Sequence, residues 1–413
     1  MTGERGCWHR LAVGLAVVGL LVPFAVPAPA APPARAGGGG VSAAQRVDFA
    51  GRVEVRGGRE LYLECRGRGR PTVILVSGYP NGADVWSLLD PGVRRPPVLA
   101  GVARFTRVCA YHRPNTLLQP DRPGRSDPVP QPRTAGDTVA ELQALLRAAE
   151  LPGPYVLVGH SFGGLMVRLY ASTYPREVAG LVLVDATYEL LRELLTPEQW
   201  APLARSTLEP VPGLEPPIEL IDQDTSFDQM LRAKAARPLR PTLPLAVLSH
   251  GRPPQPSPDP PPGFPDATTL ERVSRTAQNE LGGLLPYARH VIARRSGHYI
   301  QTAQPELVVD AVRRILPMVR PATVRCQGGP DSCRARVNLA GGASDKRIVI
   351  RLSDPDLRLV SVRPNRRALR GAHGLSGQRL RAGGSKYVVR LNAAQSTRRG
   401  AYLILTFRAT RGH

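Results

Sequence analysis

The sequence predicts an α/β fold: a mostly parallel sheet flanked by helices, with a helical cap and then a small C-terminal antiparallel β-domain. Three observations predict it. Short apolar runs of strand type alternate with amphipathic helical stretches from about residue 51 to 320, as a parallel sheet requires. That rhythm breaks at 187–240 and resumes at "LPLAVLSHG" (243–251), so an excursion leaves the sheet and returns to it. From Pro321 the runs become short and alternating with no amphipathic helix between them, which is the grammar of an antiparallel sandwich-type domain.

Taken in order, residues 1–36 read as a signal peptide. The apolar run 11–26 follows a basic start and precedes "APA" and "ARA", both suited to cleavage. The run is interrupted by Pro23 and falls short of the roughly 20 residues of a membrane span. A secreted or cell-surface location is therefore expected. The α/β body is expected over 37–320, with the cap at about 187–240, and the basic β-domain over 321–413. Within the body, "GRVEVRGGRELYLECRG" (51–67) alternates around a Gly-Gly turn and predicts a hairpin. "PTVILVSG" (71–78) and "FTRVCAYHR" (105–113) are buried strands. "PRTAGDTVAELQALLRAAE" (132–150) is a helix with Thr134 and Asp137 in capping-box order. "VAGLVLVDA" (178–186) and "ARHVIARR" (288–295) are further strands, separated by a proline-dense loop at 253–265 and a helix through 266–285. "PELVVDAVRRILPMV" (305–319) closes the body.

The formal net charge is +22, but only three of the 55 basic residues are lysine, alongside heavy glycine and proline use. Coding bias explains most of that profile. The excess concentrates in 321–413, which carries 19 basic and 4 acidic residues. No aromatic platform or helix-turn-helix accompanies it, which argues against nucleic acid. An anionic cell-wall or membrane surface is the partner such a face would suit. Beyond the leader four cysteines remain, an even number that favours disulfides in an exported chain; Cys326 and Cys333 are spaced to close a small loop. No metal-ligand cluster and no cofactor motif is present, so neither is expected.

The chemistry-bearing stretch is "VLVGHSFGG" (156–164). An apolar strand run leads into Gly159, and a helical pattern starts at Phe162, so Ser161 occupies a strand–turn–helix corner. Glycines at 159 and 163 allow the close packing such a corner needs, and the helix N-terminus favours developing negative charge. A serine hydroxyl needs a base to act as a nucleophile.

With "VILVSGYP", "RVCAYHRPN", "PGRSD", "VLVGHSFGG", "GLVLVDA" and "SGHYIQ" in this order, the chain from about 51 to 320 resembles the α/β-hydrolase fold superfamily, and in particular exported actinobacterial serine hydrolases of the esterase/lipase type. Two departures stand out: Ser77 replaces a common histidine, and His112 replaces an acid in the Tyr-Asp-Arg pattern. The resemblance implies that the base is His298, in "SGH" between the last strand and the last helix, and that the backbone N–H groups of Phe162 and Tyr79 form an oxyanion hole. It also implies that Cys65 and Cys109 lie on neighbouring strands and form a disulfide. The acid that orients His298 is expected at Asp185, at the end of "GLVLV", with Asp259 and Asp266 as the alternatives beyond "LPLAVLSHG". The implied activity is cleavage of an ester-like acyl bond in a small-molecule or lipid-like substrate through an acyl-enzyme, without a cofactor. A peptidase or amidase of the same fold, or a non-catalytic surface-binding protein on this scaffold, are the other readings.

Overall fold

The computed structural model describes residues 48–118, 122–209, 218–253 and 260–319, and the backbone of six strands beyond residue 331. The signal-peptide expectation, Asp259 and the Cys326–Cys333 bridge lie outside the described residues. Two compact units divide at Ile315/Leu316.

The first unit is built on an eight-stranded sheet. Its strands are β1 (Phe49–Glu54), β2 (Glu60–Arg66), β3 (Val73–Val76), β4 (Val108–Tyr111), β7 (Tyr155–His160), β8 (Val178–Val184), β9 (Leu245–His250) and β10 (Arg289–Ala293). A separate two-stranded ribbon joins β5 (Leu117–Leu118) to β6 (Arg122–Pro123). The sheet order is β1-β2-β4-β3-β7-β8-β9-β10. β2 pairs antiparallel with both neighbours, and every pairing from β4 to β10 is parallel. The central strands are covered on both faces, which is why VILV in β3 and VLV in β7 are unbroken apolar runs with every residue buried. At the antiparallel edge β1 is only partly buried, and it pairs Val53 with Leu61 and Arg52 with Tyr62.

The crossovers are helical: α1 (Val98–Ala103), α2 (Ala135–Ala148), α3 (Phe162–Thr173), α4 (Leu191–Leu194), α5 (Pro197–Arg205), α6 (Gln223–Ala236), α7 (Ala267–Gly282), α8 (Ile300–Ala303) and α9 (Pro305–Val319). The Thr134/Asp137 capping box starts α2, the Thr196/Gln199 box starts α5, and Asp222 caps α6. The insert between β8 and β9 comprises α4 to α6. Its core is Trp200 against Phe227, ring centroids 5.2 Å apart, with the indole N–H donating to Asp224 at 2.8 Å.

β3 is the strand at which chain order reverses, with β4 on one side and β7 on the other. In an open parallel sheet the carboxyl ends of the strands at such a reversal form the natural crevice for a ligand. Tyr79 follows β3 and Ser161 follows β7, so both lie at that crevice. On the far side, Cys65 of β2 stands opposite Cys109 of β4 in register, and the two form a disulfide.

The second unit carries two three-stranded antiparallel sheets. Ser332–Asn338, Tyr402–Ala409 and Leu357–Pro364 form one, with Tyr402–Ala409 central. Arg347–Arg351, Lys386–Arg390 and Gly377–Arg379 form the other, with Lys386–Arg390 central.

Candidate active site

Ser161 sits between β7 and α3 with φ 52° and ψ −124°, a conformation that L-residues rarely adopt. The surroundings hold it there. Its N–H donates to Val184 O at 3.0 Å, and its own carbonyl accepts from Gly164 N–H at 2.8 Å and Thr187 N–H at 2.9 Å. The turn is tight enough that side chains would not fit. A Cβ on Gly163 would lie 2.3 Å from the Val76 carbonyl oxygen, and one on Gly159 2.4 Å from that of Gly163. The glycines flanking the serine are thus dictated by backbone approach.

The Phe162 N–H opens α3 and has no intrahelical partner, since a helix leaves its first N–H groups unpaired. Neither it nor the Tyr79 N–H makes a hydrogen bond among the described residues. The loop carrying Tyr79 is pinned from behind. Arg113 donates to the carbonyls of Ser77 at 2.7 Å and Gly78 at 3.1 Å, while the Ser77 hydroxyl donates to Asn81 O at 2.6 Å.

His298 and Asp185 meet directly: His298 Nδ1 lies 2.6 Å from Asp185 Oδ2, and both side chains are buried. The carboxylate can only accept there, so Nδ1 carries the proton and Nε2 is the basic nitrogen. Nε2 is itself buried without a partner among the described residues. Asp185, like Ser161, has positive φ (42°), directly after β8. Burial is the largest single influence on its carboxyl and opposes ionisation. Hydrogen bonds from His250 and His298 outweigh it and hold the group well below the usual carboxylate range. Asp266, the alternative acid, instead caps α7 at the surface by accepting from Thr269 N–H at 2.7 Å. A side chain committed to a helix N-terminus is not placed to orient His298.

Three contributors escaped the sequence reading. His160, which precedes the serine, donates Nε2–H to the His298 carbonyl at 3.1 Å and lays its ring 4.6 Å from that of His298. Burial, and then the neighbouring His298, keep it neutral. His250, at the end of β9, bonds to Asp185, and Glu271 of α7 bonds to His250 in turn. Arg113 was legible only as part of "YHRPN", and its partner Glu219 lies 106 residues away. His112 in that stretch is buried edge-on against Tyr62 and pushed down to about 3, by burial first and then by Arg125 and Arg113. Among the described residues no group of His, Cys, Asp and Glu is arranged to hold a metal ion.

Known proteins carry similar sequences. An uncharacterised protein of Bacillus subtilis, YqjL, is 28% identical over 120 residues, which span 29% of this chain and 41% of that protein. The pimeloyl-(acyl-carrier protein) methyl ester esterase of Chromobacterium violaceum is 31% identical over 196 residues, spanning 47% of this chain and 66% of the esterase. The chain thus covers less than two thirds of the length of these curated relatives. Among solved structures, a thermophilic esterase from Thermogutta terrifontis aligns with 21% identity and a TM-score of 0.40, over 66% of this chain and 99% of that one. The model of the alpha/beta hydrolase family matches residues 73–311, from β3 into α9. With the sheet order, the serine corner and the His–Asp pair in place within that span, the chain belongs to the alpha/beta hydrolase family.

Proposed function

We propose that this chain is an exported serine hydrolase that cleaves an ester-like acyl bond through an acyl-enzyme intermediate. The observation that carries the reading is the bond between buried His298 Nδ1 and Asp185 at 2.6 Å, in the same unit as a strained Ser161 at the β7–α3 corner. That bond leaves Nε2 as the only ring atom able to take a proton. In the first step Nε2 takes the Ser161 hydroxyl proton as Oγ attacks the carbonyl carbon. The negative charge that develops on the carbonyl oxygen is met by the N–H groups of Phe162 and Tyr79. As the tetrahedral intermediate collapses, the bond to the leaving alcohol breaks and Nε2–H protonates its oxygen. A water, deprotonated by the same nitrogen, then attacks the acyl carbon; the bond to Oγ breaks as Nε2–H returns its proton to Oγ, releasing the acid and free Ser161. No cofactor enters any step.

The name of the Chromobacterium violaceum relative supports an ester as the bond cut. An amide substrate would use the same groups, and a panel of fluorogenic esters beside aminopeptidase substrates separates the two. A fluorophosphonate probe tests the mechanism itself. Covalent labelling mapped to Ser161 by mass spectrometry is expected, and a folded protein that does not label would favour a binding role instead. The basic region 321–413 is proposed to hold the enzyme on anionic wall or membrane surfaces. Truncation at 320 should then abolish salt-sensitive adsorption while sparing small-ester hydrolysis.

A further inference from the structure

Asp185 is where two imidazoles meet. Besides His298, its carboxylate takes His250 Nδ1, at 2.8 Å from Oδ1 and 3.0 Å from Oδ2, and the His250 backbone N–H at 3.0 Å. The other ring nitrogen of His250, Nε2, lies 3.1 Å from Glu271 Oε2. Glu271 is in turn paired with Arg275 one turn further along α7. A neutral imidazole offers one N–H and one lone pair. In either tautomer a nitrogen lone pair would face a carboxylate oxygen at one end of the ring. Only the doubly protonated ring donates at both ends.

We propose that His250 is a resident imidazolium, clamped between Asp185 and Glu271, which acts as a positioning residue by fixing the orientation and the charge of the acid that aligns His298. The proposal rests on the Ser161–His298–Asp185 reading above and extends that chain by two members. The charged and titratable groups around His250 are Asp185 from the end of β8, His298 from the loop after β10, and Glu271 with Arg275 from α7. His290, on β10, hydrogen-bonds Ser249 instead. Burial disfavours the charged ring, but the hydrogen bonds and charges of Asp185 and Glu271 raise its pKa to about 9.

The arrangement has two consequences for the base. The cation holds Asp185 ionised and pins both carboxylate oxygens, so the His298 ring cannot swing. It also shares the carboxylate charge of Asp185. Removing the cation therefore frees the acid to turn, and turnover falls. On the alkaline side, loss of the His250 proton sets a lone pair against a carboxylate and slackens the pair, so activity falls there.

The test is the pH dependence of kcat/KM for the full chain on 4-methylumbelliferyl butyrate, comparing wild type, His250→Gln and Glu271→Gln. Wild type should lose activity on the alkaline side near pH 9. Glu271→Gln keeps an acceptor for Nε2–H but not its charge, and should bring that limb down by about one unit with KM little changed. His250→Gln should lower kcat with KM little changed and abolish the alkaline limb. Profiles that superimpose on wild type after scaling would overturn the proposal. If His250→Gln does not fold, Glu271→Gln, on the outer face of the pair, carries the same test. An activity-independent readout is the nitrogen NMR of His250 at pH 7, where imidazolium shifts are expected at both ring atoms; those of a neutral tautomer would overturn it. Turnover by Ser161→Ala would instead sink the catalytic reading while leaving the NMR result standing.

Discussion

Arg113 and Glu219 form a two-pronged ion pair with both side chains buried: Nε to Oε1 and Nη2 to Oε2, each 2.7 Å. Glu219 lies within the insert, between α5 and α6, where its N–H donates to Asn115 O at 2.7 Å. The same guanidinium holds the Ser77 and Gly78 carbonyls. One cation therefore ties the insert to the loop that presents the Tyr79 N–H.

Removing one member should be costly. Glu219→Ala leaves Arg113 charged and buried, at a cost of about 3–5 kcal/mol by urea unfolding. The double variant Arg113→Met/Glu219→Leu should recover most of that stability, since apolar replacement of a buried pair is close to neutral. It should still turn over esters more slowly, chiefly in kcat, because Ser77 and Gly78 lose their donor. Equal kcat in the double variant and wild type would show that the pair only supports folding.

At position 161 two substitutions should separate chemistry from strain. Ser161→Ala and Ser161→Gly should both abolish turnover and fluorophosphonate labelling. The glycine variant should be the more stable of the two, by about 1 kcal/mol, because φ 52° costs glycine nothing. Thermal unfolding with equal midpoints for the two variants would argue against a strained corner.

Asp185→Asn should lower turnover on the order of 10⁴-fold, since an amide cannot hold His298 in the required tautomer. Asp266→Asn, which loses only a helix cap, should stay near wild type in turnover. A large loss at Asp266 alone would reverse the assignment.

The buried histidines predict how stability responds to acid. His112 titrates at about 3 in the folded protein against about 6.5 when unfolded. A folded-state pKa below the unfolded one means that the unfolded chain binds the proton first. Stability should therefore fall as pH drops from about 6.5 towards 3, by about 1.4 kcal/mol per unit for this one group. His250 works in the opposite sense: its contribution is complete below about 6.5 and is lost as pH rises through about 9. Urea unfolding between pH 4 and 7 should show a shallower slope for His112→Phe than for wild type.

The disulfide closes 44 residues between strands that are already register partners. Its loss in Cys65→Ala/Cys109→Ala should cost up to about 4 kcal/mol in the chain-entropy model. Turnover at 25 °C should survive, because the bridge lies two strands from Ser161.

Much of this was legible in the sequence because each signal was local. Unbroken apolar runs marked β3, β7 and β8; the Thr134/Asp137 spacing marked the start of α2; glycine spacing marked the corner at Ser161. The helix Val98–Ala103 went unread because six residues after a proline-rich stretch carry no periodicity. The pairings that complete the site were illegible for a different reason. His250 lies 65 residues from Asp185, and Glu219 lies 106 from Arg113. Their partners are set by how strand ends are brought together, and no short window of sequence encodes that. The choice among Asp185, Asp259 and Asp266 stayed open in the sequence for the same reason, because it depended on which strand end faces His298.

Mounting the acid at the end of β8 also divides labour along the sheet. The Ser161 N–H is tied to β8 and the Asp185 N–H to Leu248 of β9, so the proposed nucleophile and acid are fastened to the core itself. On the proposed mechanism the proline-dense stretch after β9 supplies no member of the triad. Its length and composition can drift, or be changed by an engineer, without disturbing the machinery. A peptide tag or a substrate-selecting loop spliced in after Pro253 would give the enzyme a new surface while its chemistry stayed as it was.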